Sequence, residues 1–187
     1  MAESPTQKTK ERRLHPAKEC AYLSMFVALL IAVQLALFAV PGVELITVLL
    51  ASYAFCMGVR RGVIAAVSFS LLRQLVFGFY PNVLALYLLY YPAFAATFGL
   101  LGKKLTRPTH TVWVVAACAT LASVAFTMID NILTPLWYGY TERAAKLYFN
   151  ASFAFLIPHA ACAAISVSAL FLPLWAVFKK LKGSLEG

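Results

Sequence analysis

The feature that most constrains this chain is a succession of long apolar runs, separated by short segments that carry nearly all of its charge. The run from Cys20 to Val40 holds no charged residue and is long enough to cross a bilayer core about 30 Å thick. A backbone in lipid must satisfy its own hydrogen bonds, so such runs fold as helices that span and pack on one another. Composition agrees. The 187 residues are 62% hydrophobic and only 12% charged, against about 25% charged in a soluble domain. The reading is an all-α integral membrane protein.

Six spans are expected. They are Cys20–Val40, Val43 to Gly58, Gly62–Phe79, Val83–Leu101, Thr111–Leu133, and a sixth between Leu147 and Phe178. The second is near the lower length limit for a span. The sixth is longer than a span needs, which predicts tilt, a kink at Pro158 or Pro173, or a preceding surface turn. Residues 134–146 read as a mixed loop. The division is a basic tail over 1–18, a six-helix domain over 19–182 and a short tail over 183–187. A signal peptide is the competing reading of the first 40 residues, but Cys20–Val40 is of spanning length and has no clear small-x-small cleavage site. No internal repeat is visible.

The net charge of +9 would point to nucleic acid in a soluble protein. Here it reports orientation. Of the 16 Lys and Arg, all but Arg73, Arg143 and Lys146 fall on one side of a six-span topology. The positive-inside rule puts that side, with both termini, in the cytoplasm. Cys20, Cys56, Cys118 and Cys162 form no C-x-x-C pair or zinc spacing and read as small buried apolar residues.

Arg73 breaks the apolar pattern. It lies roughly 18 Å into the third run at helical rise, where a charge costs on the order of 3 kcal/mol and normally faces an interior or wet cavity. Other polar residues fall at the same outer depth: Glu44 opening the second span, Tyr80 and Asn82 at the turn after the third, Tyr87, Tyr90 and Tyr91 in the fourth, Asp130 and Asn131 late in the fifth, and His159 early in the sixth. The inner halves are almost entirely aliphatic. A channel or proton relay needs polar groups along its whole path; an outward-facing cup with an apolar floor does not. Tyrosines offer flat faces to a ring system, and Arg73 suits a carboxylate partner (Glu44 or Asp130) or an anionic substrate group. Plainer roles compete: an interfacial belt for Tyr80, Trp137, Tyr138 and Tyr140, a helix cap for Glu44, a structural ion pair for Arg73, solvation for Asp130, and an interior hydrogen bond for His159. The sequon-like Asn150-Ala151-Ser152 is too short to weigh. Ala28, Ala32 and Ala36 recur on one face of the first helix, where small residues admit another helix, from this chain or a partner.

The chain resembles the substrate-binding S components of energy-coupling factor (ECF) transporters, the bacterial vitamin importers, over residues 20–182. The resemblance rests on the Ala28/Ala32/Ala36 face, Pro41-Gly42-Val43-Glu44-Leu45-Ile46, the turn Arg60-Arg61-Gly62, Leu75-Val76-Phe77-Gly78-Phe79, and Ile157-Pro158-His159-Ala160 followed by Leu172-Pro173-Leu174. It implies a multi-pass protein of the bacterial cell membrane that binds a vitamin-like substrate near its outer face. It also implies docking on a transmembrane coupling protein driven by two cytoplasmic ATPases. Carried over, Ala28, Ala32 and Ala36 are the docking face. Glu44, Arg73, Asn82, Tyr87, Tyr91, Asp130 and His159 are pocket candidates, on grounds of depth. No P-loop G-x-x-x-x-G-K-[ST] is present, so ATP would be used by partners, and no cofactor or metal is expected in this chain. An intramembrane enzyme is disfavoured by the lack of H-E-x-x-H, G-x-S-x-G or a clustered acidic motif. A stand-alone secondary transporter or channel is disfavoured by the apolar inner halves. A membrane scaffold or assembly factor is the remaining alternative.

Overall fold

The computed structural model describes residues 16–40, 45–105 and 108–186. They form six helices: α1 (Pro16–Leu37), α2 (Ile46–Met57), α3 (Val59–Phe77), α4 (Pro81–Lys104), α5 (Pro108–Tyr138) and α6 (Glu142–Glu186). Four of them, α1, α4, α5 and α6, are long and apolar enough to cross a membrane. Large apolar side chains such as Leu75, Trp113, Leu121, Ile132 and Ile165 face outward. In water that surface would be a liability; against acyl chains it costs nothing. The fold is that of an all-helical membrane protein.

The short α2 is the hub. Its 12 residues rise about 18 Å, well short of a bilayer core. Every one of them except Cys56 is buried. A helix that is apolar all round belongs in an interior, and α2 packs on each of the other five. It turns into α3 through Gly58 alone, whose φ of 89° and ψ of 173° suit only glycine. The Gly58 N–H closes the last turn of α2 by donating to the Ala54 carbonyl.

Glycines on α4 let it meet this elbow backbone to backbone. A Cβ at Gly99 would lie 2.6 Å from the Val59 nitrogen, and one at Gly102 only 2.1 Å from the Phe55 carbonyl oxygen. The same end carries the basic residues. Arg61 Nε donates to Glu19 Oε1 at 2.7 Å, tying the start of α3 to the start of α1. Lys179 lies over the Trp175 ring near the end of α6, and Cys56 Sγ reaches the Trp175 carbonyl.

Several bounds differ from expectation. The stretch read as a loop over 134–146 is mostly helical. α5 continues through Pro135 to Tyr138, and α6 begins at Glu142. Thr141 caps α6, its hydroxyl accepting from the Ala144 N–H, with Glu142 in the first turn and paired to Lys146 one turn on. Only 139–141 remain as a link. α6 is continuous for 45 residues, about 67 Å, through both Pro158 and Pro173. It therefore extends past the expected span at both ends, and past residue 182 into the expected tail. α1 likewise starts at Pro16, inside the stretch read as tail.

Candidate functional site

At the end of the bundle opposite Arg61, Lys103, Lys104 and Lys179, polar side chains from α1, α3, α4, α5 and α6 come together. Arg73 and Phe77 sit one turn apart on the same face of α3. The Arg73 guanidinium carbon lies 4.9 Å from the Phe77 ring centroid and 4.5 Å from that of Tyr87 on α4. Such contacts hold a cation by the ring quadrupoles. They do not supply acceptors: Arg73 Nε and Nη1 are buried with no hydrogen-bond partner among the described residues. Neither of the two ion pairs among the described residues involves Arg73, and Asp130, one of its two expected partners, is bonded elsewhere.

The Tyr87 ring is positioned by its own helix and by α5. Leu86, Tyr87, Tyr90, Tyr91 and Phe94 form the buried stripe of α4. Tyr87 meets Tyr91 edge-on at 4.9 Å. Phe126 of α5 stands against Tyr87 at 5.9 Å and Tyr90 at 4.9 Å. The Tyr87 hydroxyl oxygen accepts from Gln34 Nε2 of α1 at 3.3 Å, leaving Gln34 Oε1 buried without a donor.

Two cavities adjoin here. One, of about 210 Å³, is lined by Gln34, Leu37, Ile46, Tyr87, Phe126 and His159 among others. The second, of about 260 Å³, lies between α5 and α6 and is lined by Phe126, Thr127, Asp130, Tyr148, Ser152 and His159 with Ala151 and Phe155. Phe126 and His159 belong to both. In the second, Asp130 Oδ1 accepts from the Thr134 hydroxyl at 2.7 Å and Oδ2 from the Tyr148 hydroxyl at 2.6 Å. Asn131 Nδ2 donates to Ser152 Oγ at 2.7 Å. No cation pairs with Asp130 among the described residues.

Of the residues singled out from sequence, Tyr87, Asp130 and His159 line the two cavities, and Arg73 lies against the Tyr87 ring without lining either. Tyr91 is buried in the ring cluster and lines neither cavity. Asn82 is buried and accepts from the Tyr138 hydroxyl at 3.1 Å, joining the start of α4 to the end of α5; its observed work is structural. Glu44 lies outside the described residues. Sequence reasoning passed over Gln34, Phe126, Tyr148 and Gln74. Gln34 had a usable signal, a lone amide in an apolar run. Gln74, next to Arg73, is buried with Oε1 accepting the Tyr80 N–H and Nε2 unpartnered. Phe126 had no signal, since nothing local separates it from a lipid-facing phenylalanine. Ala28, Ala32 and Ala36 are all exposed, so packing among the described residues does not cover that face.

Several other hydroxyls within the helices bond to their own backbone. Ser52, Ser70, Thr97 and Thr120 each donate to the carbonyl four residues earlier. They form no polar track from one end to the other. Among the described residues no three His, Cys, Asp or Glu side chains gather as a metal site would need.

No family model matches this chain, and no curated protein or solved structure does.

The Asp130 cluster carries its own prediction. Tyr148→Phe removes one of two donors to the half-buried Asp130 carboxylate. We expect a stability loss of about 1 kcal/mol, at the low end for a bond to a charged group because Tyr148 is only half-buried. It is read as a lowered melting temperature in detergent. An unchanged melting temperature would mean that water replaces the hydroxyl without loss.

Proposed function

We propose that this chain is the membrane-embedded substrate-binding subunit of an ECF-type importer. In this reading its six-helix bundle lies in a bacterial cell membrane with both termini in the cytoplasm, the expected second span being the short buried α2. It captures a vitamin or related micronutrient at its outer end. A transmembrane coupling protein and two cytoplasmic ATPases, which use the ATP, complete delivery inward. The observation that carries the reading is Arg73. A cation held over two aromatic rings, with two buried nitrogens lacking acceptors among the described residues, next to a ring that lines one of two small cavities with His159 and Asp130, suits a site for an anionic, ring-bearing compound.

Two further features support it. The polar contacts lie at the end away from all the described Lys and Arg residues except Arg73, Arg143 and Lys146, and the positive-inside rule makes that the outer end. The basic end is closed by backbone contact at Gly99 and Gly102, which suits a binding subunit that depends on a partner to release cargo. The exposed Ala28/Ala32/Ala36 face is free for such a partner.

The test is affinity purification from native membranes, in mild detergent, with mass spectrometry of proteins and of released small molecules. We expect a stoichiometric small metabolite, plus a second integral membrane protein and nucleotide-binding subunits. Ala32→Trp, which blocks the small-residue face, should lose the protein partners and keep the metabolite. A protein that is empty and partnerless after growth in rich medium rules the reading out; protein partners without any metabolite would favour a scaffold.

A further inference from the structure

α4 and α5 are consecutive, yet they stand apart along much of their length. α4 packs on α2 and α3, and α5 on α6, far more closely than α4 packs on α5. A groove of about 400 Å³ runs between them and shares no lining residue with the two cavities of the candidate site. Its floor is a row of buried rings on α4, Tyr90, Phe94 and Phe98, with successive centroids 5.7 and 4.4 Å apart. Its rims are small: Ala93 and Thr97 on α4, Ala122 and Ala125 on α5. Large buried rings between small rims make the strip concave. The lining is almost wholly apolar, and the Thr97 hydroxyl turns back to donate to the Ala93 carbonyl at 2.9 Å. Ala93, Thr97 and Ala125 are exposed, so the groove opens on the outside of the bundle, where acyl chains lie.

The same face of α4 changes character beyond the groove. Leu89, Ala93, Thr97, Leu100 and Lys104 succeed one another at spacings of four and three residues, which is one stripe of a helix. Lys104 is exposed, in the last turn of α4. From Lys104 back to Leu89 is roughly 22 Å at helical rise. One leaflet with its headgroups is as deep, half of about 40–45 Å.

We propose that this groove holds one anionic phospholipid of the leaflet on the basic side. An acyl chain lies along Tyr90, Phe94 and Phe98, between Ala93 and Ala122. The phosphate-bearing head stands outside the groove, at the membrane surface. There it meets the Lys104 ammonium, whose apolar stem lets the charge reach that surface. Lipid tails are as apolar as the groove, so close packing rather than the hydrophobic effect holds the tail. Lys104 supplies the choice of head. The two observations call for one amphiphile: an apolar strip for its tail and, a leaflet's depth from the strip's far end, a cation for its head. The lipid site stands whether or not the chain carries a cargo.

For the test, the full chain is reconstituted in vesicles of equal phosphatidylglycerol and phosphatidylethanolamine with matched acyl chains. It is then extracted in mild detergent and passed through gel filtration. Lipid retained per chain is counted by mass spectrometry for wild type, Lys104→Gln, Ala93→Phe and Ala122→Phe. We expect wild type to keep roughly one phospholipid, with phosphatidylglycerol favoured about fivefold, as one lysine near the surface provides. Lys104→Gln should keep a lipid and lose the preference. A phenylalanine from either wall should fill the groove and lower retention several-fold. Ala93 is exposed at the rim, so its variant tests the groove even where Ala122→Phe fails to fold. Undiminished retention by Ala93→Phe overturns the proposal. So does a wild type that holds no phospholipid or holds both heads equally, or a preference that survives Lys104→Gln. A wild-type dimer that Ala93→Phe dissociates puts a second copy of the chain in the groove and overturns it too.

Discussion

Arg73→Met should empty the protein of its small molecule and, in the same variant, raise the melting temperature of the empty form. Both halves follow from one observation. Arg73 Nε and Nη1 are buried with no acceptor among the described residues, and an unmade hydrogen bond on a buried donor costs about 1–3 kcal/mol. The Phe77 and Tyr87 rings return part of that, about 0.5–2 kcal/mol. Methionine fills a similar volume between the rings, keeps a favourable sulfur–ring contact and carries no charge to desolvate. The ligand-free protein should gain about 1–2 kcal/mol. Binding should lose at least one charge-assisted hydrogen bond, about 1.5–3 kcal/mol, or roughly tenfold to a hundredfold in affinity. The measurements are metabolite stoichiometry by mass spectrometry and thermal unfolding after the ligand is stripped. A substitution that instead lowers the melting temperature of the stripped protein would make Arg73 a structural residue, and the site assignment would lose its main support. A site that is costly when empty and satisfied when full is the usual form of a stability–function trade-off.

The second large effect is at the other end. Gly102→Ala should destabilise the bundle severely, because the added methyl would sit 2.1 Å from the Phe55 carbonyl oxygen, with the Phe55 carbonyl carbon and Cα at 2.9 and 3.0 Å. The neighbours are backbone atoms of the buried helix α2, so no rotamer change relieves the clash. α4 must move away from the hub, which opens packing along its length. We expect a loss of about 3 kcal/mol or more, at or beyond the upper part of the range for overpacking. The signs are a steep fall in melting temperature and aggregation on gel filtration. Gly99→Ala, 2.6 Å from the Val59 nitrogen, should behave similarly. Gly183→Ala is the control. Nothing lies within 4 Å of its added Cβ, and alanine is the better helix former, so stability should hold or rise slightly. If Gly102→Ala unfolds like wild type, the close crossing of α4 over the α2–α3 elbow is not a feature of the folded protein.

The two predictions concern opposite ends and different links of the same chain of cause. At the basic end, residue size decides how near two backbones come. At the other, unpaired charge decides what the interior can hold. Sites this far apart should act independently, so a double variant combining Gly183→Ala with Arg73→Met should show additive changes in melting temperature.

Much of the fold was legible in advance because lipid leaves the backbone few choices. A run such as Cys20–Val40 must be helical, since nothing else in a bilayer satisfies its peptide groups. Six apolar runs therefore gave six helices. The segregation of Lys and Arg, and the unusual cost of Arg73, were likewise properties of residue type and position. The links were harder to read. Proline at 135 and glycine at 139 look like a loop, yet local capping by Thr141 and the packing of α5 on α6 extend both helices to within three residues of each other.

What the sequence determined by itself is the class of solution: helices, their approximate positions, and the depth at which polar groups must find company. Those follow from transfer energies and backbone hydrogen bonding, which act residue by residue. Which groups keep company was decided only by tertiary structure. Arg73 rests on the Phe77 and Tyr87 rings and not on Asp130, Asp130 is held by Thr134 and Tyr148, Asn82 braces Tyr138, and Gln34 and Phe126 join the site. Depth along a helix can be counted from sequence, but the direction a side chain faces across the bundle depends on how five helices pack around α2. That packing turns on contacts such as Gly102 against Phe55, between residues far apart in the chain.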